Sequence, residues 1–352
     1  MHRRIKLIFQ IVAPLIILAL GFVTVLYGQS WKVRQPSVFR IDERDMERIY
    51  QRASEIAPPL ESLLISRGNT LISEQYFGGL DRDDLANMKS ASKSILSILV
   101  GIAIDQGYLS GVDQTIDEFF PEYFAENTNH RKADITIRDL ITMRAGLETT
   151  SFYNYGKWVS SSNWALWALE QPMIAQPGRR MIYSTGNSHL VSVILAKATG
   201  MSTLNFAREY LFEPLGIRRV RWPTDPQGYH FGGNNMGMRP IDLMKIGQLY
   251  LNGGEYNGRQ IVSRDWVKAS VKQYIRSRHS GHYQGYYWWS NTYAGKWVFF
   301  AWGHGGQYCF VIPEFDVVVV FTSSLWNRNQ HEHHHNSEIL RMIEEYIIPA
   351  VQ

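Results

Sequence analysis

The sequence predicts an α+β fold: one antiparallel β-sheet flanked by helices, built from both ends of the chain, with an all-helical region inserted between them. Three observations carry this expectation. Two apolar runs flank Arg67-Gly68-Asn69 near the start, which is hairpin chemistry. A series of helical segments follows, from the apolar run at residues 95–104 to RPIDLMKIGQLYLNGG. After about residue 284, aromatic and β-branched runs separated by turn residues lead into a last amphipathic segment.

Of 352 residues, 45% are hydrophobic and 19% charged, a globular composition. The net charge is only +4, from 36 Lys plus Arg against 32 Asp plus Glu, and no basic run of nucleic-acid type occurs. Nucleic acid is therefore not an expected partner. The single cysteine, Cys309, excludes a disulfide framework and a thiolate metal site. Its context, QYCFVIP, reads as a strand with a packed core thiol.

The first residues, MHRRIK, carry Arg3, Arg4 and Lys6, and residues 7–28 carry no charge. At about 1.5 Å per residue, a helix of that length crosses a bilayer core. The sequence thus predicts a membrane anchor within residues 1–28, with the body on the exported, periplasmic or extracytoplasmic side. Cleavage near Ala19-Leu20-Gly21 would instead make residues 1–28 a signal peptide and release a secreted protein. Residues 29–40 form a tether and residues 41–352 the folded domain, whose helical part spans about 106–270.

In that domain the first helix holds Met46, Ile49, Tyr50 and Ala53 on one side and stops at Pro58-Pro59. The hairpin LESLLISRGNTLISEQYFGG follows. Residues 95–104 are almost wholly apolar, which places that helix in a core. DQGYLSGVDQTIDEFFPEY reads as a turn and a short helix, and ITIRDLITMRAGL as an amphipathic helix. GNSHLVSVILAKATG begins at an Asn or Ser and stops at Gly200; RPIDLMKIGQLYLNGG ends at Gly253-Gly254. The segments GYYWWSNTY, KWVFFAW, QYCFVI and FDVVVVFTS read as antiparallel strands, and SEILRMIEEYIIPAV as the closing helix. NRNQHEHHHN contains His331, Glu332, His333, His334 and His335, but consecutive histidines do not converge on one centre. A solvated loop is expected there and no metal site.

The chemistry concentrates in KSASKSILSILVG, residues 89–101. Residues three or four apart share a helix face, so Lys93 meets Ser90 on one side and Ser97 on the other. Ser97 lies in an apolar run, where a hydroxyl bonds back to a carbonyl one turn earlier. Ser90 lies where the polar segment meets the helix N-terminus, which favours developing negative charge. A serine hydroxyl becomes a nucleophile when a base takes its proton, and a lysine can do so when burial lowers its pKa. On these residues alone, a Ser N-cap followed by a surface Lys remains open as the other reading.

Four segments in order alter that balance. NMKSASKSILSILVGIAIDQGYL, PGRRMIYSTGNSHLVSVILAKATG, FGGNNMGMRPIDLMKIGQLYLNGG and GHGGQYCFVIPEFDVVVVFTS resemble the serine β-lactamase and penicillin-binding-protein superfamily over residues 40–350. Within it the chain most resembles class C β-lactamase-like esterases and the amidases that cleave aminohexanoate oligomers. The resemblance implies the β-lactamase/transpeptidase-like fold, an acylated Ser90, Lys93 as its partner and Tyr183 as a proton carrier. It implies an oxyanion hole from the backbone N–H groups of Ser90 and Gln307, and substrate contacts at Thr185, His304, Gly305 and Gly306. No cofactor is implied. Two departures stand out. Tyr183-Ser184-Thr185 replaces the usual Tyr-x-Asn or Tyr-x-Ser, and His304-Gly305-Gly306 replaces the Lys-Thr-Gly of true β-lactamases. Histidine, mostly uncharged at neutral pH, clamps an anion less well than lysine. The expected activity is hydrolysis of a small-molecule ester or unstrained amide, with poor β-lactam turnover. The alternatives are a non-catalytic sensor or peptidoglycan-binding module, and a β-lactamase or D-Ala carboxypeptidase.

Overall fold

The computed structural model describes residues 31–126, 130–324 and 332–352. The expected anchor over 1–28 and His331 lie outside the described residues. Among the described residues no single helix is long and apolar enough to cross a membrane.

Helix α1, Glu43–Glu55, opens where Asp42 Oδ1 accepts the Arg44 N–H at 2.9 Å, with Glu43 and Asp45 favouring its positive end. It buries Met46, Ile49 and Ala53, as the spacing predicts. Strands β1 (Leu60–Arg67) and β2 (Thr70–Tyr76) form the expected hairpin, whose turn needs Gly68 at φ +54°. At the other end of the chain come β3 (Ile275–Arg276), β4 (Tyr283–Gln284), β5 (Trp289–Tyr293), β6 (Lys296–Gly303), β7 (Gln307–Ile312) and β8 (Val317–Ser323). These strands hydrogen-bond in the order β2-β1-β8-β7-β6-β5-β4-β3, antiparallel throughout. Pairs such as Leu63↔Phe321 and Ile65↔Val319 join the two chain ends, so the sheet is assembled as the sequence predicts.

Strand alternation gives the sheet two apolar faces. Leu63, Ile65, Phe310, Val319 and Phe321 pack with Met46 and Ile49 of α1 and with Ile339, Ile343 and Ile347 of the C-terminal helical run. That run starts with α7, Glu332–Arg341. The opposite face carries Cys309 and Val318, which meet helix α6, Pro240–Leu251. Cys309 is fully buried in β7 and its thiol is pushed up to about 12 by desolvation, so it is a packed core thiol. Helix α2, Ser92–Asp105, is buried on every side from Ser92 to Ala103. Ile95, Leu96, Ile98 and Leu99 each contribute about 1.5–3 kcal/mol on burial.

Between the two sheet-forming ends lie helices of varied length and small sheets of two-residue strands. They include α3 (Ile137–Ile141), α4 (Trp164–Glu170) and α5 (Thr185–Thr199). Several boundaries differ from expectation for local reasons. Helix α3 stops after five residues, with Met143 at φ +57°. Helix α5 starts before the expected Asn or Ser, because Thr150 and Ser151 side chains accept the N–H groups of Gly186 and Thr185 at 2.6 and 2.9 Å. GYYWW is not a strand throughout: Gly285 and Tyr287, the latter at φ +59°, bend the chain before β5 begins at Trp289. The histidine-rich segment is not all loop, since α7 already contains His333, His334 and His335, and His335 is buried.

The approach of α6 to the sheet depends on a missing side chain. A Cβ at Gly247 would lie 2.5 Å from Val318 Cγ1 and 2.6 Å from Cys309 Sγ. Gly247→Val should lower unfolding stability by about 1–3 kcal/mol through overpacking. Chemical denaturation checks this; unchanged stability would show that the helix sits off the sheet.

Candidate active site

The start of α2 is preceded by a 3₁₀ turn, Lys89–Ala91. Lys89 has φ +45°, a strained value for a non-glycine residue, and the turn is pinned on both sides. Asn87 Oδ1 accepts the Lys89 N–H at 3.1 Å, and Ser92 Oγ donates to the Lys89 carbonyl at 2.6 Å. This turn leaves Ser90 partly exposed while Lys93, one helical turn on, is 3% exposed.

The geometry joins the three groups that the sequence singled out. Lys93 Nζ lies 3.0 Å from Ser90 Oγ, and Tyr183 OH donates to the same oxygen at 2.8 Å. Lys93 Nζ is 5.2 Å from the Tyr183 ring centroid. Desolvation pulls the Lys93 ammonium down to about 7 and pushes the Tyr183 phenol up to about 12. Near neutral pH the amine can therefore take a proton from the hydroxyl, and the phenol keeps its own proton to donate.

Tyr183 reaches this place because its backbone is held away from any local element. The Ile182 N–H bonds to the Met143 carbonyl at 2.8 Å, and Thr149 Oγ1 donates to the Tyr183 carbonyl at 2.6 Å. Thr185, the first residue of α5, is buried at the lysine side: its Oγ1 is 3.0 Å from Ser151 Oγ and 3.5 Å from Lys93 Nζ. Its hydroxyl is thus engaged with the lysine environment.

Gln307 opens β7 opposite Gly303 of β6, and His304, Gly305 and Gly306 make the turn between them. Gly305 and Gly306 have φ +81° and +98°, conformations that favour glycine. His304 is exposed on this turn. The turn is braced from beneath. Gln307 Nε2 donates to the Ser323 carbonyl at 2.7 Å, and its Oε1 accepts the Ser323 N–H at 3.2 Å. Ser323 Oγ donates to the Gly306 carbonyl at 3.2 Å and lies 2.9 Å from His335 Nε2. Desolvation pulls His335 down to about 4, so it is a neutral support at pH 7. A Cβ at Gly306 would come within 2.9 Å of His335 Nε2, which shows how closely α7 underlies the turn.

Three participants had no signal at the level of single residues. The Gly233 carbonyl accepts from Lys93 Nζ at 2.6 Å, Ser151 holds Thr185, and His335 supports the turn. Each acts across at least 12 residues of chain, so neither period nor spacing reports it. The glycine pair in FGGNN was the one visible hint of a close backbone approach.

Comparisons with known proteins bear on the family and the fold. The chain is similar to the 6-aminohexanoate-dimer hydrolase of Paenarthrobacter ureafaciens, at 22% identity over 301 residues, 78% of this chain and 75% of that protein. Its fold is similar to a putative 6-aminohexanoate-dimer hydrolase from Bacillus anthracis, with TM-score 0.70 and 18% identity over 90% of this chain and 88% of that one. It is also similar to a class C beta-lactamase from Rhodobacter sphaeroides, with TM-score 0.65 and 16% identity over 88% and 100%. The sheet from both chain ends, the helical middle and a sequence match running over residues 56–341 lead to one conclusion: the chain belongs to the Beta-lactamase family.

Proposed function

We propose that this protein is a serine hydrolase that cleaves a carboxylic ester or amide through an acyl-enzyme on Ser90, with Lys93 and Tyr183 moving the protons. The observation that carries this is one partly exposed hydroxyl lying 3.0 Å from a buried amine and 2.8 Å from a phenol. The name of the Paenarthrobacter relative, a hydrolase of the 6-aminohexanoate dimer, supports the reaction class.

The reaction has two halves. In the first, Ser90 Oγ gives its proton to neutral Lys93 and attacks the carbonyl carbon, and Tyr183 donates to the leaving oxygen or nitrogen. In the second, water gives a proton to the Tyr183 oxygen and attacks the acyl carbon, and Ser90 Oγ leaves with the proton held by Lys93, which releases the acid and restores all three groups. The negative oxygen of each intermediate needs fixed donors, and the backbone N–H groups of Ser90 and Gln307 are the pair on offer. Close packing of the β6–β7 turn on the Ser90 turn supports this. A Cβ at Gly303 would lie 2.4 Å from Met88 O and 3.1 Å from Ala91 N. An exposed histidine in place of a lysine on that turn favours an ester or unstrained amide over a carboxylate-bearing β-lactam. The charge-free run at residues 7–28 behind Arg3, Arg4 and Lys6 supports a membrane-anchored protein with this site on the exported side.

Ser90→Ala should abolish labelling by a fluorophosphonate probe, and both Ser90→Ala and Lys93→Met should cut ester turnover at least about 10³-fold. Equal turnover by Ser90→Ala and the wild type would refute the assignment, and an unlabelled wild type would favour a binding module. Lys93 acts in its neutral form, so kcat/KM should rise with pH through a midpoint near 7. A profile flat from about pH 5 to 9 would remove lysine as the base. Gly303→Ala should lower kcat by about 10²-fold through displacement of the Gln307 N–H, with the protein still folded; wild-type kcat would place the oxyanion donors elsewhere.

A further inference from the structure

The shortest hydrogen bond of Lys93 Nζ does not go to Ser90. It goes to the Gly233 carbonyl, at 2.6 Å against 3.0 Å. Whatever places that carbonyl therefore aims the rest of the amine. Gly233 has φ +81°, and a Cβ on it would come within 2.3 Å of Lys93 Cγ, so its backbone rests on the lysine stem. Gly232 is pressed as hard on α5: a Cβ there would lie 2.2 Å from Ser188 O and 2.3 Å from His189 Cα.

Two side chains of α5 grip this glycine pair. Ser188 Oγ donates to the Gly232 carbonyl at 2.7 Å, and the Gly232 N–H donates to His189 Nδ1 at 3.3 Å. The other imidazole nitrogen, Nε2, lies 2.8 Å from Asp225 Oδ2. Because Nδ1 accepts, Nε2 carries the ring proton and donates it to the carboxylate. Asp225 Oδ1 accepts the N–H groups of Gln227 and Tyr229, both at 2.9 Å. Both side chains are fully buried, and Trp158, Trp164 and Phe231 surround the imidazole. A buried carboxylate is costly unless its bonds are satisfied, and the reaction at Ser90 makes no direct use of this one.

We propose that the buried His189–Asp225 pair is a positioning device for the Ser90 reaction, holding the Gly232–Gly233 backbone so that the Gly233 carbonyl fixes the Lys93 amine against Ser90 Oγ. The inference rests on the acyl-enzyme reading above. The path is short: carboxylate to imidazole, imidazole to the Gly232 N–H, and one residue further to the carbonyl that holds Lys93. A displacement of about 1 Å at the reacting atoms is enough to cost about 10²-fold in rate.

The test uses the full chain, a fluorophosphonate probe and a chromogenic ester. Asp225→Asn keeps the shape and removes the charge. His189→Phe fills the ring volume without either bond, whereas His189→Gln keeps a donor for Asp225. Trp164→Phe loosens the same packing and touches neither bond. Asp225→Asn and His189→Phe should lower both the saturating labelling rate and kcat by about 10- to 100-fold, with KM within about 2-fold. His189→Gln should recover most of that loss, and Trp164→Phe should lower the melting temperature while keeping kcat within about 2-fold. If His189→Phe does not fold, Asp225→Asn and His189→Gln decide the matter. Wild-type labelling and kcat in Asp225→Asn, or an equal loss in Trp164→Phe at the same melting temperature, overturns the inference. Failure of the wild type to label overturns the acyl-enzyme reading and this inference with it.

Discussion

The chemistry proposed for this molecule depends on keeping one amine out of water. Lys93 emerges from the first turn of a helix that is buried on every side, and no carboxylate accounts for its altered acidity: burial alone pulls it to about 7. The same burial explains the scaffold around it. An apolar α2 needs walls, and the sheet, α5 and the glycine-rich segment before α6 supply them. Among the described residues the amine's hydrogen-bond partners are oxygens of Ser90, Thr185 and Gly233.

The sheet contributes through its register. Because β1 pairs with β8, and β8 with β7, the first and last parts of the chain form one rigid surface. The β6–β7 turn stands at its rim beside the Ser90 turn and is buttressed by Ser323 and His335. Left-handed backbone occurs on both sides of this meeting point. Lys89 at φ +45° and the positive φ values of Gly305 and Gly306 lie on the two segments that face each other.

Much of this was legible in the sequence, and the limit has a physical form. Period and composition found α1, the β1–β2 hairpin, the buried α2 and the late strands, since each is a local pattern answering to a large apolar surface. The spacing of Ser90 and Lys93 put them on one helix side. Tyr183, by contrast, comes only from the resemblance, because a phenol 93 residues from Ser90 has no local signature; the structure places it 2.8 Å from Ser90 Oγ. The two-residue strands β3 and β4 were too short to show a period. Four histidines near a chain end look polar and predict a solvated loop, yet His335 turns inward under Gly306. The FGGNN glycines hint at a close approach, but the Gly233 contact with Lys93 and the His189–Asp225 pair are legible only in three dimensions.

The most direct test of the whole account is the titration of Lys93 itself. With lysine labelled with ¹³C at Cε, and the Lys93 resonance assigned by its loss in Lys93→Met, nuclear magnetic resonance follows its charge with pH. The account predicts a midpoint near 7, well below that of the surface lysines. A midpoint near 10, in the range of those exposed lysines, would contradict it, since a protonated amine at neutral pH has no lone pair with which to activate Ser90.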